Sequence, residues 1–235
     1  MANKSQLRII LSKNIKNKKS KHEDKKCKKV VSKVIKEIKK NMNVELEWRS
    51  NIYLKYMVDT LRQVDKNIEF SDVKRTSNIR PDGGILYLLD KNKNKYIILI
   101  SEMKSQGTND ARKKEGKSEQ ALGNAVERLG KNVIGFRTLM HNEAIFPFVC
   151  FGDGCDFNDK KTIIDRVKII AMFGKVNETY LENVKSNNLY YNRGSYYFRV
   201  KDWTEKEMFN IMYDIAERSI YYYFSVYGEK NFVIK

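Results

Sequence analysis

The chain has 235 residues, 41% of them hydrophobic, which is enough to bury the core of one domain. Its 46 Lys and Arg residues against 29 Asp and Glu residues give a formal net charge of +17, which favours a polyanionic partner, either nucleic acid or an acidic membrane face. The longest apolar stretches have the length of strands and no targeting segment is visible, which argues against a membrane-spanning protein and predicts a cytoplasmic location.

The chain offers few residues for disulfides or zinc. Its three cysteines, Cys27, Cys150 and Cys155, form no CxxC pair, and their odd number argues against a disulfide framework. Only His22 and His141 could join them as zinc ligands, so a structural zinc site is not expected.

The excess of positive charge is concentrated at the N-terminus. Residues 1–40 contain 15 Lys and Arg residues but only 3 Asp and Glu residues. Residues 1–26 show almost no apolar periodicity after Leu11, so their composition predicts a flexible basic arm. The same segment is compatible with an arm that becomes ordered on DNA. We therefore divide the chain into this arm, residues 1–26, and a single domain, residues 27–235.

The domain alternates helical and strand-like patterns. Apolar residues at helical spacing predict helices over residues 28–40 and 51–64. Two apolar runs joined by a polar turn, residues 84–89 and 96–101, predict a β-hairpin. Further patterns predict a helix from about 115–120 to 140, a strand over 145–151, a helix over 163–173, a strand over 196–200 and a helix over 204–224 that starts with a capping box. Strands in the middle of the chain with helices on both sides predict a mixed α/β domain.

Two carboxylates and one lysine are predicted to meet where the hairpin ends. Asp82 precedes its first strand, and Glu102 and Lys104 close the second strand on one face, because side chains alternate along a strand. Carboxylate oxygens hold Mg²⁺, which stabilises the charge that develops on a phosphodiester under attack. Lys104 would orient the attacking water or help to deprotonate it, and the backbone carbonyl of Met103 is a further candidate metal ligand.

The same pattern also arises by chance in a lysine-rich chain. Asp82 would then be a turn residue, and Glu102 and Lys104 a solvated strand end. Both strands are otherwise apolar, which favours the metal site. Burying a cluster of charged groups costs desolvation free energy, and a functional role would account for that cost.

A second pattern, residues 123–128, suits base recognition. Asn124 and Arg128 lie four residues apart, hence on one helical face or at one helix start. Asn pairs with adenine and Arg with guanine, and Ala125 can pack on a thymine methyl group. Gly123 allows the backbone to approach a groove closely. Found alone, these residues would indicate a surface helix with an asparagine cap.

Together, and in this order, these residues resemble the EcoRI-like type II restriction endonucleases of the PD-(D/E)xK nuclease superfamily. The similarity lies in five patches: residues 78–85, 102–107, 123–132, 146–151 and 208–215. It leaves the first seventy residues almost without a match. The run from Gly123 to Arg128 is its more specific part, because a PD…(D/E)xK pattern alone is loose.

The resemblance implies a restriction-endonuclease-like fold, with a central mixed β-sheet flanked by helices, and a homodimer in which each subunit cuts one strand of palindromic double-stranded DNA. It implies Mg²⁺ as the cofactor, with Mn²⁺ able to replace it, and no nucleotide cofactor. The implied catalytic residues are Asp82, Glu102 and Lys104, and the implied metal ligands are Asp82, Glu102 and Met103. The implied DNA-binding residues are Gln106, Gly123, Asn124, Ala125, Glu127, Arg128 and Lys131.

The recognition loop of the family implies an inner AATT read in the major groove, whereas the outer bases stay open. The connection between Lys104 and Gly123 is shorter than in the family, as is the chain after Phe151. Residues 165–168, which include Arg166, are where we expect the arginine for an outer guanine, but the match there requires a gap. The site is therefore either AATT alone or a longer sequence around it.

Two other functions remain open. A basic DNA- or RNA-binding protein without nuclease activity would have the same composition, because charge reports phosphate affinity and not chemistry. A PD-(D/E)xK nuclease of repair or nicking type would share the catalytic residues. The first does not explain the convergence of Asp82, Glu102 and Lys104, and the adenine-reading loop argues against the second.

Overall fold

A five-stranded mixed β-sheet forms the centre of the protein in the computed structural model. The structure describes residues 4–64, 66–67, 69, 72–105, 109, 112, 114–118, 123–158, 162–171, 175–182, 185–186, 189–190 and 194–234. In spatial order the strands are β1 (Glu45–Arg49), β4 (Gly84–Leu89), β5 (Lys95–Ser105), β6 (Phe148–Asp153) and β9 (Ser195–Arg199). The pairs β1/β4 and β4/β5 are antiparallel, and β5/β6 and β6/β9 are parallel.

Helices cover both faces of the sheet. They are α1 (Lys4–Met42), α2 (Leu54–Val64), α3 (Gly123–Leu139), α4 (Thr162–Ile170) and α5 (Glu205–Tyr227), followed by a 3₁₀ turn (Glu229–Asn231). Two short ribbons pair β2 (Ile52–Tyr53) with β3 (Asn78–Ile79), and β7 (Lys185–Ser186) with β8 (Leu189–Tyr190). The predicted α/β class, with a mixed central sheet flanked by helices, is confirmed. In the part of the chain that the structure describes, no helix is long and apolar enough to cross a membrane.

The sheet separates two hydrophobic cores, because alternate side chains of each strand point to opposite faces. Leu86 and Leu88 pack in the core that contains α1 and α5. Ile85 and Tyr87 pack in the core that contains α2, α3 and α4. Every residue of β4 and β6 is therefore buried, which explains why residues 85–89 and 148–151 form unbroken apolar runs in the sequence.

The N-terminal segment differs most from its prediction. Helix α1 begins at Lys4, so the backbone of residues 4–26, predicted to be a flexible arm, is helical, and the predicted boundary at residue 26 falls inside one helix. The predicted helix over residues 28–40 is the C-terminal part of α1, where Val30, Val34 and Ile38 are buried. The polar face of this part is tied to α5, since the Nζ atoms of Lys29 and Lys33 lie 2.7 and 2.8 Å from the Glu205 carboxylate.

The capping box of α5 is confirmed. The Glu207 amide donates to the Thr204 hydroxyl, and the Glu207 carboxylate accepts from the Thr204 amide. Arg199, at the end of β9, donates two hydrogen bonds of 2.6 and 2.8 Å to the same carboxylate. Helix α5 is therefore fastened to the sheet at its first turn.

Three elements begin three or more residues later than the sequence predicts. Helix α3 begins at Gly123 rather than near residues 115–120, and α2 begins at Leu54 because the two residues before it pair with β3. Strand β6 runs from Phe148 to Asp153, three residues later than predicted at its start. The short edge strand β1 was not predicted, since its sequence of alternating charged and apolar residues is only half-buried.

Candidate active site

The pairing of β4 with β5 brings Asp82 beside Glu102, as predicted. Gly84 pairs with Ser101 across the hairpin, and the Gly83 amide donates to the Ser101 carbonyl at 3.0 Å. One residue further, the Asp82 amide donates to Glu102 Oε2 at 3.1 Å. In return, the Met103 amide donates to Asp82 Oδ2 at 3.1 Å. These hydrogen bonds hold both carboxylates in one place, which we call the hairpin mouth, formed by residues 82–84 and 101–104.

Lys104 completes the hairpin mouth. Its Nζ atom lies 3.3 Å from Asp82 Oδ2 and 3.2 Å from the Met103 carbonyl oxygen, and it also contacts Glu102 Oε1. Burial on its own would lower the pKa of Lys104, but the carboxylates of Glu102 and Asp82 outweigh burial and raise this pKa above its usual range. The side chain is therefore an ammonium ion at neutral pH, and its single positive charge partly offsets two carboxylates, of which Glu102 is only 2% exposed.

The oxygen atoms around Lys104 Nζ suit a hard divalent cation. They come from Asp82, Glu102 and the Met103 carbonyl, and Mg²⁺ prefers oxygen ligands. Among the described residues, no group of three or more His, Cys, Asp and Glu side chains could hold a metal. Such a sparse set fits Mg²⁺, which keeps several waters and binds phosphate oxygens beside one or two carboxylates.

The edge strand β1 braces the glycine turn that carries Asp82. The indole Nε1 of Trp48 donates to the Gly83 carbonyl at 2.9 Å. Gly84 has a φ of +85°, and a Cβ added there would lie 2.5 Å from Trp48 Nε1. Glycine at position 84 is thus required both by the backbone conformation and by the indole that lies against it. Sequence reasoning missed Trp48, because its partner lies 35 residues away.

Helix α1 packs against the hairpin mouth from the other side. A Cβ added to Gly83 would lie 2.7 Å from Cys27 Sγ and would overlap Ser101 Oγ. Burial raises the pKa of the Cys27 thiol to about 12, which makes it an unreactive packing group. One helical turn earlier, Asp24 is half-buried, and burial followed by the negative charge of Asp82 raises its pKa. The first helix therefore supports the site rather than standing apart from it.

The predicted recognition residues lie at the start of α3. Its backbone is helical from Gly123, and Arg128 and Lys131 are exposed. The side chains of Asn124, Ala125 and Glu127, like the whole of Gln106, lie outside the described residues. Further along α3, the Nδ2 atom of Asn132 donates to Glu102 Oε1 at 3.4 Å. This contact joins α3 directly to the hairpin mouth.

The segment considered for an outer guanine reader belongs to α4. Arg166 is exposed on this helix, whereas its neighbour Val167 is buried in the core. Arg166 is thus accessible to a partner, and its assignment as a base reader stays a prediction.

The chain is similar to restriction enzymes over most of its length. The family model described as restriction endonuclease EcoRI matches residues 11–164 and 160–230. The type II restriction enzyme RsrI of Cereibacter sphaeroides is 30% identical over 211 residues, which cover 76% of this chain and 76% of that enzyme. The type II restriction enzyme EcoRI of Escherichia coli is 26% identical over 226 residues, which cover 81% of this chain and 82% of that enzyme.

Proposed function

We propose that this chain, which belongs to the EcoRI family of restriction endonucleases and is a type II site-specific deoxyribonuclease, acts as a Mg²⁺-dependent homodimer. In this proposal it cuts palindromic double-stranded DNA at a site with an AATT core. Family membership supplies the nuclease activity and the double-stranded DNA substrate. Beyond family membership, we propose the identity of the metal ion, the base sequence of the DNA site and the homodimeric assembly. The observation that carries it is the convergence of Asp82, Glu102 and Lys104 within hydrogen-bonding distance in the hairpin mouth.

In this proposal the hairpin mouth is the catalytic centre. Asp82, Glu102 and the carbonyl of Met103 would hold the cation, which when bound would supply Lewis-acid stabilisation of the charge that develops on the phosphate. Lys104, as an ammonium ion, would orient the attacking water and neutralise the scissile phosphate. The chain's own hydrogen bonds hold these groups in position before DNA binds.

The start of α3 would read the bases. Arg128 and Lys131 are exposed there, and an arginine suits guanine or other paired acceptors while a lysine suits a phosphate. We assign the AATT core to Asn124, Ala125, Glu127 and Arg128, with Gly123 allowing close approach and Gln106 and Lys131 supporting the DNA. This assignment rests on the resemblance of these residues to the recognition loop of the family.

A homodimer follows from the symmetry of the substrate. One chain carries one hairpin mouth, whereas a palindromic double cut requires two of them. Exposed isoleucines on the adjacent helices α3 and α4, Ile134 and Ile169, offer apolar surface for a second copy, with 64% and 56% of their surface accessible. Sedimentation of the free protein at micromolar concentration should give twice the mass of the chain, and a monomer with full double-strand cleavage would contradict this part.

The basic N-terminal segment would add affinity without adding specificity. Residues 1–20 contain six Lys and Arg residues and no acidic residue. Their removal should weaken DNA binding and make its salt dependence shallower, because fewer counterions are released. The deletion should stop before Glu23, which is buried and paired with Lys26 at 3.1 Å. A variant in which glutamines replace the six basic residues is the matched control for chain length. If the salt dependence of DNA binding is unchanged in the deletion and in this variant, the segment does not contact DNA.

We also propose a cytoplasmic location. Cys27 and Cys150 are buried and carry free thiols, as is usual for proteins of a reducing compartment.

The decisive experiment is digestion of a long DNA of known sequence, followed by sequencing of the fragment ends. With Mg²⁺ we expect defined fragments that all end at AATT-containing sites, and with a chelator no cleavage. Mn²⁺ should restore cutting. Single-strand nicks, or ends without a shared sequence, would instead favour a nuclease of repair or nicking type.

A further inference from the structure

Asn132 is the described residue of α3 that makes a side-chain hydrogen bond to the hairpin mouth. Its Nδ2 atom lies 3.4 Å from Glu102 Oε1, the same oxygen that contacts Lys104 Nζ. The other carboxylate oxygen, Oε2, accepts from the Asp82 amide. Asn132 and Asp82 therefore hold the Glu102 carboxylate from opposite ends, and together they define its orientation.

The position of Asn132 along α3 links it to the proposed base readers. It follows Arg128 by four residues, so both side chains lie on one face, about one helical turn of 5.4 Å apart. The adjacent face of the helix is anchored in the core by Leu129, Val133 and Phe136, all essentially inaccessible to solvent. A helix anchored in this way moves as one body. Because Arg128 and Asn132 lie on one helix, a shift of α3 caused by contact of Arg128 with DNA would also shift Asn132 relative to Glu102.

We propose that Asn132 is a positioning residue that makes the orientation of Glu102 depend on how α3 is seated on its DNA site. The inference rests on the proposed function of Arg128 and of the hairpin mouth. Asn132 contacts a carboxylate that would bind the cation, and residues in such supporting positions change metal affinity or activity about 10- to 100-fold when they are replaced. Asparagine suits the role because its amide donates a hydrogen bond without adding a charge beside Lys104.

The first test removes the donor. Asn132→Ala, and Asn132→Leu as a variant of similar volume, should lower the single-turnover cleavage rate about 10- to 100-fold at saturating DNA and shift the Mg²⁺ dependence to higher concentration. DNA affinity measured with Ca²⁺, and the midpoint of thermal unfolding, should stay unchanged. Thr138→Ala is the matched control, since this residue of α3 is exposed and its hydroxyl donates to the Ile134 carbonyl within the same helix.

A double-mutant cycle with Arg128→Lys tests the link to recognition. If Arg128 acts on Glu102 through the seating of α3, the double variant should lose clearly less activity than the product of the two single losses. The ratio of the cleavage rates of AATT-containing DNA and of a one-base variant should also fall in Asn132→Ala. Without Asn132, the orientation of Glu102 no longer depends on how well α3 is seated on the DNA.

Three results would overturn the proposal: unchanged cleavage by both Asn132 variants, a parallel loss of DNA affinity that would make Asn132 a DNA contact, or independent losses in the cycle. None of these would touch the proposed nuclease function, which fails only if the unmodified chain does not cut specific DNA.

Discussion

The hairpin mouth and the start of α3 are prepared for DNA to different degrees. In the mouth, Asp82, Glu102 and Lys104 are tied to one another by side-chain and backbone hydrogen bonds and are largely buried. At the start of α3, Arg128 and Lys131 are exposed, and within the described part of the chain neither makes a hydrogen bond or an ion pair. The hairpin mouth is organised by contacts within the protein, whereas the start of α3 exposes charged groups that a partner can bind.

This difference suits the functions proposed for the two regions. Groups that act on a phosphodiester gain from fixed geometry, since little reorganisation is then needed at the moment of reaction. Groups that read bases gain from being unpaired, because an internal partner would have to be given up on binding. The contact between Asn132 and Glu102 is where the two regions meet.

The largest effect is expected from the carboxylates of the hairpin mouth. Asp82→Ala or Glu102→Ala should abolish cleavage while leaving DNA binding largely intact, because each removes a proposed metal ligand. A loss of about 4 kcal/mol of transition-state stabilisation corresponds to about 10³-fold in rate. Cleavage and gel-shift assays separate the two effects, with Glu37→Ala, on the distal part of α1, as the control. Full cleavage by either mouth variant would remove this region from the catalytic centre.

The next effect is expected at the base-reading region. Arg128→Lys keeps the charge but loses the paired donors, so kcat/KM on AATT-containing DNA should fall roughly 5- to 150-fold, the equivalent of about 1–3 kcal/mol. The free energy of unfolding should not change, because Arg128 is exposed. Arg62→Lys, at an exposed ion pair on α2, is the matched control. An unchanged digestion pattern would rule out Arg128 as a reader.

A smaller effect is expected from the brace on the glycine turn. Trp48→Phe keeps the ring but removes the donor to the Gly83 carbonyl, a hydrogen bond worth about 1 kcal/mol. The cleavage rate should fall about fivefold at unchanged DNA affinity. Tyr53→Phe, on the neighbouring β2, controls for loss of a polar group. If Trp48→Phe lowers only the stability and not the rate, the mouth does not depend on this brace.

The smallest effect is expected at the clamp between α1 and α5. Hydrogen bonds from Lys29 and Lys33 lower the pKa of Glu205 to about 2, below an unfolded value of about 4.3. Because this pKa is lower in the folded state, the ion pairs stabilise the folded state at pH values above the pKa of the unfolded state. This contribution is lost as the pH falls towards about 2. Glu205→Gln should therefore cost less than about 1 kcal/mol at pH 7, with neutral-pH cleavage unchanged.

Urea unfolding of both proteins at pH 7, 5 and 3 measures this contribution. The difference between wild type and Glu205→Gln should shrink at pH 3. A difference that stays constant over this range would show that the ion pair contributes nothing to the docking of α1.

Local patterns predicted the elements whose partners lie nearby in the chain. The hairpin of β4 and β5 followed from two apolar runs and a polar turn, and the capping box of Thr204 and Glu207 from three-residue spacing. Composition predicted a flexible arm where the backbone is helical from Lys4, because lysine is common in helices and in flexible tails alike. Strand β1 was missed because an edge strand need not carry a strong apolar signal.

The sequence by itself determined which residues form the candidate catalytic centre, because a hairpin brings residues twenty positions apart side by side. Only the tertiary structure decided what surrounds them: Trp48 on the glycine turn, Cys27 behind Gly83, and Asn132 on Glu102. These contacts join residues 30 to 56 positions apart, from Asn132 and Glu102 to Cys27 and Gly83. They arise from the packing of α1, β1 and α3 around the sheet, and the period of a helix or a strand carries no information about such distant partners.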